Sequence, residues 1–299
     1  MEWGVRKNMD GIIVINKEKG CTSHDVVYQV KKLFGVKVGH TGTLDPNATG
    51  VLPILIGKGT ELSQFLINHD KKYIATIQLG IKTDSGDVEG NIVEEKRVSL
   101  DCLNTENVKS VFRSLIGKQM QNPPMYSAIK VNGKKLYEYA RSGKIVDIPE
   151  REIEIYDLKL LNIDIDNKQI IFEIYCSKGT YVRTVCENIA ERLNTVGYMK
   201  DLQRTMVGEF KIDDAITVNE LKNNFESINF ISNKVISIEK FFKSCNNIVF
   251  DDKKLKMFLN GVMINTDSEG IVKVYDKTHK FIGIGISINN RLKRKIVII

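Results

Sequence analysis

Apolar and polar positions change period several times along the chain, and each change marks an element. Gly11–Lys17 reads GIIVINK, an apolar run of strand length. A T-x-x-D capping box then starts at Thr22, and apolar residues at 26, 27, 30, 33 and 34 trace one face of a helix that Gly35 ends. Residues 36–50 keep neither helical nor strand period and read as a long shaped loop. The apolar run 51–56 follows, and Thr60 is placed to cap a helix with Leu62, Phe65 and Leu66 on its face. Tyr73, Ala75, Ile77 and Leu79 alternate with Ile74, Thr76 and Gln78, which predicts a half-buried strand.

Further on, Val108, Val111, Phe112 and Leu115 predict a helix over 105–116 with Gly117 as its stop. Asn132-Gly133 signals a tight hairpin leading into the basic-aromatic segment KKLYEYARSGK. Runs 152–165 and 168–176 alternate on either side of Asp166-Asn167 as a second hairpin, and Val182, Val185, Ile189 and Leu193 mark a helix over 182–193. From Thr217 to about Lys243 the pattern loosens into a helix and a connector. Beyond 246, IVF, GIVKVY, KFIGIGI and KIVII predict short strands separated by turns. The expected class is α+β, a large mixed α/β domain over 1–245 and a small β-rich domain over 246–299.

Composition narrows the classes without choosing among them. The chain has 299 residues with a formal charge of +7, enough to allow a polyanionic partner but not to establish one. Its longest apolar stretches, 12–15 and 296–299, fall far short of the ~20 residues that span a bilayer. The opening MEWGVRKNMDGIIVINKEKG has no apolar stretch long enough for a secretory signal. Cysteines at 21, 102, 176, 186 and 245 form no C-x-x-C pair and leave an odd count, and histidines at 24, 40, 69 and 279 are too dispersed for a zinc motif. A reducing cytoplasm is expected, with neither metal nor membrane.

The loop at 39–50, GHTGTLDPNATG, holds the strongest candidate chemistry. Proline after Asp45 pushes the aspartate backbone away from helix, and the flanking glycines permit close approach. Such a loop can fix one carboxylate on polar backbone, or Asp-Pro can simply start a turn. Asp84–Glu89 fails the calcium-loop spacing, and Gly57–Thr60 lacks the leading register of a phosphate loop, so both read as turns.

The string GHTGTLDPNATG resembles the signature loop of the TruB-type pseudouridine synthases, which modify the T loop of tRNA. GIIVINKEKG, KYIATIQLG, PMYSAIK, KKLYEYARSG and CSKGTYVRT match the same family in the same order, and the tail resembles a small RNA-binding PUA domain. The resemblance implies a pseudouridine-synthase catalytic domain with an RNA-binding insertion near 124–150, followed by a PUA-like domain. It implies breakage of the N-glycosidic bond of uridine 55, rotation of the base and rejoining through C5, with no cofactor.

By that resemblance Asp45 is the essential carboxylate, attacking C6 of the base or C1′ of the ribose. Burial would raise its pKa and a cation would hold it down. Arg183 occupies the position that pairs with the aspartate. Tyr73 and Tyr181 line the uracil pocket, Tyr73 stacking on the base and standing as the candidate for removing the C5 proton. Leu202 covers the other face, and His40 holds the RNA behind the extruded base. The basic-aromatic segment at 134–143 is expected to grip RNA, with RLKRK at 291–295 a weaker case. The implied partner is the T stem-loop of tRNA, bound by a monomer that needs neither guide RNA nor protein partner. A guide-dependent subunit with the same chemistry, and an RNA-binding protein with a decayed site, are the competing readings.

Overall fold

A computed structural model describes residues 9–298 apart from 128, 143 and 145. The first eight residues of the opening stretch, Ala128 and Gly143 of the matched segments and Ile299 of the final apolar run lie outside the described residues, as do the side chains of Tyr137 and Arg141.

The chain opens with β1 (Gly11–Lys17), α1 (Ser23–Phe34), β2 (Val38–His40), β3 (Thr49–Ile56), the single helical turn α2 (Ser63–Leu66) and β4 (Lys71–Leu79). A small hairpin, β5 (Ile81–Thr83) and β6 (Ile92–Glu95), leads to α3 (Thr105–Leu115) and β7 (Gly117–Gln121). The Asn132-Gly133 turn joins β8 (Lys130–Val131) to β9 (Lys134–Lys135) ahead of α4 (Leu136–Arg141). Both turn residues have positive φ, 49° and 82°, as this tight hairpin requires. Next come β10 (Arg151–Asp164), β11 (Gln169–Cys176), α5 (Val182–Arg192), β12 (Gly197–Val207) and β13 (Phe210–Lys211).

Most of these strands form one sheet in the order β14-β1-β3-β12-β4-β11-β10-β7, where β14 is Val235–Ser237, with β2 paired to β3 and β13 to β12. All its pairings are antiparallel except β12 with β3. Alternation explains the middle of the sheet: in β4 the odd positions from Tyr73 to Leu79 are buried and the intervening ones are not. The capping box predicted at Thr22 forms, with Oγ1 accepting from the Asp25 N–H at 3.1 Å. Gly35 closes the same helix at φ 67°, a left-handed cap that glycine takes at little cost.

Four local expectations need correction. Residues 38–40 form a strand, because Val38–His40 find backbone partners on Ile54–Ile56 that no sequence period reveals. Thr60 caps no helix: residues 57–62 are a 3-10 turn, and its hydroxyl instead donates to Gly57 O at 2.9 Å. The looser stretch after 217 splits into α6 (Val218–Asn223), α7 (Ile228–Lys234) and α8 (Ile238–Phe241), and β14 between the last two adds a strand to the edge of β1. Beyond 246 the β-rich unit also contains a helix. It comprises β15 (Asn246–Phe250), α9 (Asp252–Leu259), β16 (Ile264–Asn265), β17 (Gly270–Asp276), β18 (Phe281–Ile288) and β19 (Arg291–Val297), in sheet order β15-β17-β18-β19-β16.

The principal core lies between the large sheet and helices α1, α3 and α5. A second apolar cluster crosses from the large sheet to the small one, joining Ile12, Val14 and Leu62 to Ile284 and Ile296. The Tyr275 hydroxyl donates to Glu239 Oε1 at 2.8 Å between the same two regions.

Candidate active site

Residues 41–48 cross from β2 to β3 without a ladder of their own, so side chains from elsewhere fix them. Ser23 Oγ, at the start of α1, accepts from the Leu44 N–H at 2.9 Å and donates to Leu44 O at 3.1 Å. Lys17, wholly buried at the end of β1, donates from Nζ to Pro46 O at 3.0 Å, Cys21 O at 2.6 Å and Glu18 O at 3.0 Å. An ammonium has three donors, and all are used on carbonyls, which is what makes the burial tolerable. Burial still lowers its pKa. Arg204 on β12 is 1% exposed and donates from Nη2 to Gly42 O at 2.9 Å and from Nε to Val51 O at 2.8 Å. The loop is therefore tied down on both sides of Asp45.

Arg183 stands in the first turn of α5 with its side chain 6% exposed. Its Nη2 is 3.4 Å from Asp45 Oδ2, so the structure brings together the two residues expected to pair. A second carboxylate shares it: Nη1 is 3.4 Å from Asp87 Oδ2. Nη1 also donates to Ser85 O at 3.2 Å and Nη2 to Tyr126 O at 2.8 Å. Burial raises the pKa of Asp45 above the ordinary carboxylate value, Arg183 opposes that rise, and the like charge of Asp87 adds to it. The segment at 84–89 is a turn, as its spacing predicts, and it also carries Asp87 to the guanidinium.

A cleft of about 110 Å³ opens beside this pair, with Asp45, Tyr73, Tyr181, Arg183, Met199 and Leu202 in its wall. Tyr73 is 7% exposed, and the positive charge of Arg204 acts on its hydroxyl and favours the phenolate. Burial outweighs that charge and pushes the phenol up to about 12. Tyr181 precedes α5 and is gripped through its backbone by Gln121, a buried residue of β7. Leu202 lies on β12 between two register shifts, at 199/201 and 204/206, which bend the strand on both sides of Leu202 and Arg204.

His40 is not in the wall of this cleft. It sits half-buried on β2 opposite Ile54, with Nδ1 lacking a hydrogen-bond partner among the described residues. Burial, then the charges of Arg204 and His24, lower its pKa.

Outside the cleft a larger cavity of about 460 Å³ shares Asp45, Tyr73, Tyr181 and Arg183 and adds Lys71, Lys178 and Arg204. Sequence reading missed Lys17, Lys71, Asp87, Gln121 and Arg204. Two of these carried a signal. Arg204 has the same strand parity as Leu202, which makes it an inward-facing cation, and Lys17 has the strand parity of the buried Ile13 and Ile15. Asp87 and Gln121 gave none, since each acts only through residues distant in sequence.

Among the described residues no group of three or more His, Cys, Asp and Glu is placed to hold a metal ion. No helix of the described residues is long and apolar enough to cross a membrane.

Known proteins resemble the chain along nearly its whole length. The family described as TruB family pseudouridylate synthase (N terminal domain) matches residues 28–182. The tRNA pseudouridylate synthase B C-terminal domain matches 183–238, and Pseudouridine synthase II TruB, C-terminal, matches 247–298. A protein of Francisella tularensis subsp. tularensis named tRNA pseudouridine synthase B is 43% identical over 93% of this chain and 91% of its own. One of the same name from Hydrogenovibrio crunogenus is 41% identical over 93% and 90%. The fold matches the crystal structure of an archaeal box H/ACA sRNP Nop10-Cbf5 complex with a TM-score of 0.69 at 20% identity, over 99% of this chain and 88% of that one.

Proposed function

The chain belongs to the TruB family of pseudouridylate synthases and is a tRNA pseudouridine synthase, and from that premise we propose that it isomerises uridine 55 of the T loop without guide RNA or protein partner. The observation that carries the proposal is the Asp45 carboxylate, 3.4 Å from the buried Arg183 guanidinium at the wall of a cleft flanked by Tyr73 and Leu202.

In this reading the N1–C1′ bond of the uridine breaks, the freed base rotates, and C5 bonds to C1′. The C5 proton departs and a proton is taken up at N1, so the reaction consumes nothing. Asp45 acts ionised, either as a nucleophile at C1′ or C6 or as a counter-charge to positive character at C1′. Arg183 favours that ionised form and aims the carboxylate from a guanidinium that is itself buried. Tyr73 stacks on the base. A phenol pushed up to about 12 is a poor base at neutral pH, which supports stacking over removal of the C5 proton. Leu202 covers the opposite face, Tyr181 closes one side, and His40, outside the cleft wall, meets RNA behind the extruded nucleotide.

Residues 1–245 form the catalytic unit in this proposal and 246–299 a PUA-like RNA-binding unit, acting as a monomer in the cytoplasm. The Asn132-Gly133 hairpin and the basic start of the 134–143 segment supply a surface for RNA within the chain itself, which supports independence from a guide. The test is release of tritium from tRNA transcript labelled at uracil C5, with pseudouridine mapped and no guide RNA, metal or cofactor added. Release with modification at position 55 is expected. Tight binding without release would overturn the stand-alone reading, and release restored by guide RNA and its protein partners would replace it with a guided one.

A further inference from the structure

The inner cleft suits a base, and a nucleotide brings phosphates with it. The outer cavity opens from the same wall and gathers three cations from three segments: Lys71 at the start of β4, Lys178 in the turn after β11, and Arg204 on β12. Arg204 contributes charge, but its Nε and Nη2 are committed to the carbonyls of Val51 and Gly42. Lys71 donates to His69 O at 2.6 Å and Lys178 to Asn68 Oδ1 at 2.6 Å, one bond each, and a lysine ammonium has three donors. Both therefore keep donors for a ligand at the cavity wall.

We propose that Lys71 and Lys178, backed by the charge of Arg204, bind a backbone phosphate flanking the nucleotide whose base enters the inner cleft. This rests on the assignment of that cleft to a uridine of tRNA. Burial lowers the Lys71 pKa to about 8, with Arg204 and Lys178 adding to the fall and Cys176 and Asp70 opposing it. His69 also faces Lys71 from the turn before β4, while Asp45 and Arg183 share the cavity wall and carry opposite charges. A phosphate among the three cations relieves their repulsion and holds Lys71 protonated. Substrate affinity accordingly falls as pH rises from 7 to 9.

The test uses synthetic T stem-loops in which the linkage 5′ or 3′ of the target uridine is, in turn, an uncharged methylphosphonate. Binding is measured in the Asp45→Asn background, so it is read whether or not turnover occurs. Failure of wild-type tritium release, with or without guide RNA and its protein partners, would sink the uridine assignment without touching this measurement. One of the two linkages should weaken binding about tenfold, the scale of one charge-assisted contact. Lys71→Gln should weaken the unmodified stem-loop similarly, add little on the neutral linkage, and reduce the salt slope by about 0.7–0.9. Lys71→Arg should restore affinity and make it level between pH 7 and 9, which a packing role for the lysine stem would not do. Lys178→Gln, at an exposed position, repeats the comparison without risk to folding. Losses that multiply when variant and neutral linkage are combined, or indifference to both linkages, would overturn the proposal.

Discussion

Gln121 and Tyr181 hold one another through both polar groups of a side-chain amide. Gln121 Nε2 donates to Tyr181 O at 3.1 Å, and the Tyr181 N–H donates back to Oε1 at 2.8 Å. The pair joins the edge strand β7 to the residue before α5, and Arg183 follows two positions later. A neutral amide can do this because it presents a donor and an acceptor side by side.

Gln121→Ala removes both bonds and leaves the Tyr181 N–H and carbonyl without these partners. Stability should fall by about 1–3 kcal/mol in denaturant melts. Since Tyr181 and Arg183 shift together, kcat for tritium release should fall as well. A stable variant with unchanged kcat would show that the grip on Tyr181 is dispensable.

Asp45→Asn keeps the shape of the side chain and removes its charge. Turnover should drop on the order of 10³-fold or more while tRNA affinity changes little. Single-turnover assays and equilibrium binding on the same preparation separate the two, and parallel losses would remove Asp45 from the chemistry.

The same substitution should raise the melting temperature at pH 7. The folded-state pKa of Asp45 lies above the unfolded value of 3.8, chiefly through burial. A carboxyl raised in this way binds its proton more readily when folded, so it favours the fold below the unfolded pKa and loses that share as pH rises through the folded one. The asparagine variant should thus melt above wild type at neutral pH, with the gap closing towards pH 4. For the same reason the acid limb of kcat should lie above 3.8. A gap that widens on acidification would reverse the sign.

Gly50→Ala should be more damaging than its position on a sheet suggests. Gly50 has φ +105°, and a Cβ there would lie 2.1 Å from Arg204 O and 2.8 Å from Arg204 N, both backbone atoms. The parallel pairing of β12 with β3 would have to open at the point where Arg204 holds the loop. A loss of about 1–3 kcal/mol is expected from the backbone conformation alone, seen as an earlier denaturant midpoint.

The larger elements were legible because each announces itself locally. The Thr22 box, the alternation from Tyr73 to Leu79 and the Asn132-Gly133 turn depend on neighbours a few residues away, and all three form. The signature loop at 39–50 was legible as a resemblance, and the fold sets Asp45, Tyr73, Tyr181, Arg183 and Leu202 around one cleft. What sequence reading missed depends on long-range pairing. Val38–His40 are strand only because Ile54–Ile56 offer them partners, and Val235–Ser237 only because β1 has a free edge. Asp87 and Gln121 matter only once α5 is docked. His40, five positions before Asp45, lies outside the cleft because it leaves β2 paired before the loop turns.

The apolar cluster that joins Ile12, Val14 and Leu62 to Ile284 and Ile296 sets a rule for how the molecule comes apart. Neither sheet can lose its partner without wetting a face that is dry in the intact fold. Heat should therefore melt both in one calorimetric transition, and a chain truncated before residue 246 should be sticky and prone to self-association. Exchange of the last sheet for a foreign one would require matching apolar residues on the first. The pair behaves as one inheritance, whatever the number of domains it is counted as.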